Sequence, residues 1–584
     1  MLEPDSRAAL TEQLRPPSGY ELVHAVGTTF TLDLTSALAV PLAFAGHQVR
    51  ESDDPIAILD AVRRASDRVD IFAQAGHIAV PRKASDLVAF LEPMIHPVAL
   101  ARPGALFHPK VWVLEYARGQ HRSYRMLCSS RNITSDRSWD LVVRLDGNEG
   151  DEPREQNEPL SDLLRTLSSL AVTPLAPERR AQIEGLATSI SNVSWELPAD
   201  IRELDFHALG IGRPQTVDFK GQRHLVISPF LSDDGLANIS ASSKEKVKVI
   251  SRAESFDRLK PETFEFIEPH VLDDAVRDSD EVEDDPLVGL HAKAYFLDRF
   301  EGSRAIIGSA NATQAAFGNN VEFLIEMVGP KPRMGVAALF GEDSELRKLT
   351  MPYVTAGGVK ETETEKADRA LDDAIRSLAT IRLRNTVRLE ANDQYSIGVE
   401  ALDLAKTATE IETEVQLLTR PGNSHPLPLQ GDPPVVFAGL DLTEITPFVI
   451  IHALDHRGEQ RSTVVNAELI GDVAQRRDAV LARQIDTPEK FLRFLQLMLS
   501  LGGSTSSQLA LGNSGGFGSW SSDGAGVFET LVRSLATNPE GLDDLARLVE
   551  RMRGEASAGS LPTGFDEVWE PIWHARLAQK GDTA

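Results

Sequence analysis

The sequence predicts an α/β fold built from two consecutive, related halves, followed by a β-rich and then a helical accessory region. Three observations predict it. One short pattern occurs twice in the same internal order. It runs His108-Pro109-Lys110, Glu115, then Ser129-Ser130-Arg131-Asn132, and again His291-Ala292-Lys293, Asp298, then Gly308-Ser309-Ala310-Asn311. Before each copy, apolar strand-like runs alternate with helical stretches, the pattern of mixed sheets flanked by helices. After residue 386 the runs become short and β-branched, and amphipathic helices follow. The boundaries read as 1–160 for the first half, 161–200 for a polar helical connector and 201–330 for the second half. A charged helical linker over 331–385, a β-rich domain over 386–475 and a helical region over 476–584 complete the chain.

Taken in order, residues 20–31 read as a buried strand and turn, 33–45 as a packed helix and 55–66 as an amphipathic helix. Strand 69–74 and helix 84–94 lead to the first motif. In the second half, 225–230 is a strand, 233–239 a short helix and 247–251 a strand. His291, Lys293 and Tyr295 alternate with Ala292, Ala294 and Phe296, so a strand would set His291 and Lys293 on one face. Residues 299–303 form a turn with a glycine, and 304–308 return to deliver Ser309 and Asn311 beside them. A helix starts near 311–316, with Asn311 or Thr313 as its cap. Strands follow at 395–399, 413–418, 435–437, 448–451 and 464–467, with helices at 473–500 and 526–554 around a Gly/Ser-rich loop at 512–519.

At 584 residues the chain exceeds one core, and two to four domains are expected. The single cysteine, Cys128, excludes an intrachain disulfide and fits a reducing, cytoplasmic setting; its apolar neighbours mark it as a small buried hydrophobe. No apolar signal core or membrane-length run is present. The net charge of -27 is unfavourable for nucleic acid, yet over 101–144 Lys and Arg outnumber Asp and Glu by eight to three. Arg118, Arg122, Arg125, Arg131, Arg137 and Arg144 there form either a solvated face or a phosphate-tracking groove. The acidic run 273–285 reads as a solvated loop, with an acidic lid over the site as the sharper alternative. Trp112 and Trp139 are assigned to packing. His24 and His77 have no partner pattern and are left as core or surface residues.

Each motif copy gathers an imidazole, an ammonium, a hydroxyl and a carboxamide, a set suited to a phosphate. A phosphodiester resists attack because its own charge repels the nucleophile and its leaving oxygen needs a proton. Two histidines on opposite sides of one phosphorus meet both needs without a metal or cofactor: one attacks, the other protonates the leaving oxygen and then activates water.

The spacing His-x-Lys-x4-Asp followed by Gly-Ser-x-Asn resembles the phospholipase D superfamily. The second copy matches fully; in the first, Glu115 replaces the Asp and Ser129 the Gly. Asn320-Val321-Glu322 resembles the family's downstream Asn-x-Glu, where the first copy offers only Ser138-Trp139-Asp140. The resemblance covers about residues 18–330. It implies two tandem phospholipase D-like domains about a pseudo-twofold axis, meeting in one site. His108 is assigned as nucleophile and His291 as general acid. Lys110, Lys293, Asn132 and Asn311 would hold the phosphoryl oxygens. Ser130, Ser309 and Arg131 would add substrate contacts, and Glu322 and Asp140 would orient the imidazoles. Glu115 and Asp298 are assigned to the strand turn.

The expected activity is that of a DNA nuclease of a bacterial defence or restriction system, with DNA as partner and a helicase or another defence subunit as a candidate partner. A pseudo-dimeric monomer, open to homodimerisation, is expected. The alternatives are a phospholipid phosphodiesterase or transphosphatidylase, disfavoured by the lack of a basic amphipathic helix, and a non-catalytic nucleic-acid-binding subunit.

Overall fold

The computed structural model describes residues 10–44, 62–82, 86–135, 138–273, 289–403, 411–473 and, with short gaps, 475–495, 531–553 and 561–581. The expected acidic lid, most of helix 55–66, Arg137 and the Gly/Ser loop at 512–519 lie outside the described residues.

The chain is a mixed α/β protein. Its first sheet contains β1 (Glu21–Thr29), β2 (Val69–Gln74), β3 (Ile95–Val98), β4 (Val111–Arg118), β5 (His121–Ser129), β6 (Val142–Glu149) and β7 (Val193–Trp195), in the spatial order β7-β6-β5-β4-β1-β2-β3. The second contains β8 (Glu203–Leu209), β9 (Arg223–Ile227), β10 (Val247–Ile250), β11 (Ile267–Leu272), β12 (Ala294–Arg299), β13 (Gly302–Gly308), β14 (Glu322–Gly329) and β15 (Thr350–Pro352), ordered β8-β14-β13-β12-β9-β10-β11-β15. In both, three parallel strands (β1-β2-β3 and β9-β10-β11) continue into an antiparallel run that begins with the strand after the His-x-Lys motif. Central strands such as β2, β12 and β14 are buried on both faces and read as nearly continuous apolar runs for that reason, whereas β6 and β8 near the sheet edges alternate buried and exposed positions. One core cluster spans both sheets, with Val113, Met126 and Cys128 from the first and Phe296, Ile307 and Phe323 from the second.

Two segments expected to be spacers pack instead. Helices Glu158–Leu170 and Pro177–Ser191 lie in the expected connector, and their Leu160, Leu164, Leu167, Ile183 and Ile190 are buried in that shared core. In the expected linker, Met334, Val336 and Phe340 join the same core, and β15 pairs with β11. Helix Glu363–Leu378, opened by a Thr362/Glu365 capping box, buries Leu371, Ile375 and Leu378. Its high charge hid this apolar stripe. That stripe packs on two four-stranded sheets formed by strands between Leu383 and Ile470. Helix 84–94 reduces, within the described residues, to a 3-10 turn, Asp86–Phe90. The C-terminal helices Arg476–Gln484, Pro539–Met552 and Phe565–Gly581 share a core with Val62 and Phe90 of the first half.

Candidate active site

The motif histidines and lysines are not on strands. His108 to Lys110 and His291 to Lys293 are extended segments that end just before β4 and β12. They are extended because each runs beside the downstream segment of the other copy. Phe107 bridges Val321 in parallel, with His108 N–H donating to the Val321 carbonyl at 2.9 Å and Val321 N–H to the Leu106 carbonyl at 2.9 Å. Gly289-Leu290 pairs in parallel with Ser138-Trp139, and the His291 and Ala292 N–H groups both donate to the Trp139 carbonyl at 3.0 Å. The two motifs are therefore laced to each other's halves by backbone hydrogen bonds, which fixes the approach of the four side chains.

The first histidine is firmly held. His108 Nδ1 lies 2.9 Å from Glu322 Oε2, and Ser309 Oγ donates to the same oxygen at 2.5 Å. Asn320 Nδ2 donates to Glu322 Oε1 at 3.2 Å. Glu322 is buried, which alone would raise its carboxyl, but His108 and the hydroxyl of Ser309 overcome this and hold it below the usual range. The carboxylate keeps the proton of His108 on Nδ1 and turns the Nε2 lone pair outward, where Lys110 Nζ meets it at 2.9 Å.

The second histidine is not held this way. Asp140, the counterpart of Glu322, accepts from Ser130 Oγ at 3.1 Å and Ser138 Oγ at 3.0 Å. Among the described residues His291 Nδ1 is buried without a hydrogen-bond partner. Asp140, one methylene shorter than Glu322, accepts from the two serines and makes no hydrogen bond to His291 Nδ1 among the described residues. Burial pushes the Asp140 carboxyl up.

The charges of the two motifs bear on one another. Burial lowers His108 to about 4, with Lys110 and Lys293 adding to it. Burial also lowers His291 to about 3, reinforced by Lys293, Arg252, Lys110 and His108. Burial brings Lys293 down to about 8 and Lys110 well below the ordinary lysine range, Lys293 being its strongest charged neighbour. Concentrated positive charge with two neutral imidazoles is an arrangement that an anion would relieve.

The remaining predicted residues divide. Ser130 and Ser309 are buried and serve the two carboxylates, so they act through Asp140 and Glu322. Asn132 Oδ1 accepts from Thr31 N–H at 3.3 Å, whereas Asn311 Oδ1 is buried without a partner among the described residues. Arg131 is close enough to Asp140 to stabilise its charge. Thr313, not Asn311, caps the short helix Gln314–Gly318. Asp298 accepts from Ser303 Oγ at 2.6 Å and Val336 N–H at 3.1 Å, and Glu115 pairs with Arg122 at 3.6 Å.

The described arginines of the basic stretch do not gather at the motif. Arg118 and Arg122 lie at the hairpin end of β4 and β5, and seven residues of strand span roughly 23 Å from the motif end. Arg125 is buried on Asp146 at 2.6 Å, Arg144 pairs with the same carboxylate at 2.8 Å, and Arg118 covers the Tyr20 ring. Proximity in sequence is undone by the strand's length, and of the described arginines of this stretch only Arg131 remains near Asp140.

Comparisons with known proteins add the following. No family model and no curated protein matches the chain. Among solved structures, 56% of the chain is similar to 43% of polyphosphate kinase from Porphyromonas gingivalis, with 14% identity and a TM-score of 0.32. A mutant of yeast tyrosyl-DNA phosphodiesterase is similar over 55% of this chain and 84% of its own, with 13% identity and a TM-score of 0.34. The chain thus spans less than half the length of the first, and at these TM-scores neither likeness bears on the chemistry.

Three site residues escape a reading of the motifs. Arg252 follows β10, donates through Nε and Nη2 to the Leu290 carbonyl at 3.1 and 3.0 Å, and bears on His291. His77 follows β2, and Phe30 follows β1. The Phe30 ring lies 4.1 Å from the His77 ring and 5.0 Å from His108, centroid to centroid, with Lys110 Nζ 5.7 Å from its centre. One signal could have found them, since ligands of α/β sheets gather at the carboxyl ends of parallel strands. His24, also left without a role, bonds the buried Asp70 at 2.8 Å, which His96 and Arg179 share at 2.7 and 2.9 Å.

Proposed function

We propose that this chain is a phospholipase D-like phosphodiesterase whose two sheets are tandem halves about a pseudo-twofold axis. The observation that carries the reading is the relay Ser309–Glu322–His108. It fixes the tautomer that a nucleophilic imidazole needs and is assembled from both motif copies. His108 Nε2 attacks the phosphorus in line, the bond to the leaving oxygen breaks, and that oxygen takes a proton from the His291 imidazolium. Neutral His291 then removes a proton from water, the hydroxide attacks phosphorus, and the P–N bond to His108 breaks. Lys110 turns from His108 Nε2 to a phosphoryl oxygen, and Lys293 and Asn311 take the others. A bound phosphate's negative charge raises His291 into the range where it carries its acid proton.

DNA is the favoured substrate, in a defence or restriction setting, with a helicase or another subunit as candidate partner. No described helix is long and apolar enough to cross a membrane. The test is cleavage of single- and double-stranded DNA in EDTA by wild type, His108→Ala and His291→Ala. Loss in both variants, with a phospho-enzyme trapped in His291→Ala but not in His108→Ala, is the expected result. A wild type that binds DNA without cutting it would favour the binding-subunit reading.

A further inference from the structure

The loop 75–79 after β2 is held from two sides. On one side it meets the site: Leu32 N–H donates to the His77 carbonyl at 2.9 Å, Gln74 Oε1 accepts from Phe107 N–H at 2.7 Å, and the His77 ring lies against Phe30. On the other it meets the accessory region. Ile78 N–H donates to Thr463 Oγ1 at 3.3 Å, and that hydroxyl donates to the Ile78 carbonyl at 3.1 Å. Ala75 is buried in the accessory core beside Leu371 and Ile375. Gly76, at φ +86, is so close to helix Glu363–Leu378 that a Cβ there would sit 2.6 Å from Arg376 Cα.

Among the described residues, His77 Nε2 is buried with no hydrogen-bond partner. A buried polar atom left unpaired is costly, and native sites that tolerate one commonly reserve it for a ligand. His77 also senses the charges of His108 and Lys110, and burial, Arg376 and those two groups lower it to about 4. At neutral pH it is therefore a neutral imidazole beside the proposed nucleophile.

We propose that His77 is a third substrate-contacting histidine, placed by the accessory domain, whose Nε2 hydrogen-bonds the diester on the His108 side of the scissile phosphate. This rests on the phosphodiesterase reading above. The accessory region thereby acquires a definite role. Through Thr463 and helix Glu363–Leu378 it sets where the substrate lies.

The experiment measures kcat and KM of the full chain on bis(p-nitrophenyl) phosphate and on a DNA oligonucleotide for four proteins. These are wild type, His77→Phe, His77→Gln and Thr463→Val, each checked for folding by thermal melting. Phenylalanine keeps the ring against Phe30 and removes the nitrogen; glutamine returns an amide near the Nε2 position. His77→Phe should lower kcat/KM by about tenfold or more, the scale of one lost hydrogen bond to a charged group. His77→Gln should recover part of the loss. Thr463→Val should give a smaller loss with the same split between kcat and KM. Wild-type kinetics in a folded His77→Phe would overturn the inference alone. A wild type inert on both substrates would overturn the phosphodiesterase reading and this inference with it.

Discussion

Glu322 and Asp140 occupy matching places after the two motifs and differ by one methylene, and that methylene separates a held imidazole from an unheld one. Glu322→Gln keeps the shape but removes the charge that fixes His108. It should lower kcat on the order of 10² to 10⁴-fold with little change in melting temperature, as orienting carboxylates do elsewhere; a loss under threefold would contradict the relay. Asp140→Glu supplies the missing length. A carboxylate brought to His291 Nδ1 favours the imidazolium, so the pKa of the acid rises. Because the acid must be protonated, the alkaline limb of the kcat profile should move to higher pH by about one unit. Lys293, lowered to about 8 by burial, makes a related prediction: its charge, and with it kcat/KM, should fade as pH rises through that value. Lys293→Arg should flatten that limb, since a guanidinium stays charged.

At the scale of elements, Gly308 shows why the motif has a glycine there. A Cβ would sit 2.2 Å from the Phe323 carbonyl oxygen and 2.9 Å from Leu324 Cα across the β13–β14 pair. Gly308→Ala should therefore cost about 1–3 kcal/mol and shift Ser309 off Glu322, so activity at 20 °C should fall further than the drop in melting temperature explains. Most elements around the motifs were legible, because strands buried on both faces leave apolar runs and their ends carry turn residues. The helical spacers were misread for a physical reason. In helix Glu363–Leu378 only Leu371, Ile375 and Leu378 are buried, and ten of the other thirteen positions supply charged or polar groups that dominate the composition. The motif residues were legible as chemistry but not as conformation: His291 and Lys293 alternate like a strand, yet the pairing partner that makes them extended is more than 150 residues away, at Trp139.

Across the whole molecule, the accessory region is tied to the first half by buried polar contacts. Arg476 Nη1 meets Glu92 at 2.6 Å, Thr446 Oγ1 donates to Glu92 at 2.8 Å, and Asn466 Nδ2 donates to the Glu92 and Ile95 carbonyls at 3.0 and 2.9 Å. Burial pushes the Glu92 carboxyl up even against the Arg476 charge. Arg476→Ala strands that carboxyl and should cost about 3–5 kcal/mol, with urea unfolding splitting into two transitions as the accessory region loosens first. A loss below 1 kcal/mol would show that the tie is dispensable. None of these ties could be read in sequence, since Glu92, Thr446 and Arg476 are ordinary polar residues until the fold brings them together.

The lacing of each motif to the far half has a consequence for a divided protein. A fragment ending near residue 150 would carry His108 and Lys110 but lack the carboxylate that poises them, and the complementary piece beginning at 151 would carry that carboxylate, and the two core helices, with no His108 imidazole to hold. Neither piece alone would turn over substrate. Mixed in solution, the two should regain activity in proportion to the complex they form, so the chain offers itself as a two-part reporter in which reunion of the pieces is the signal.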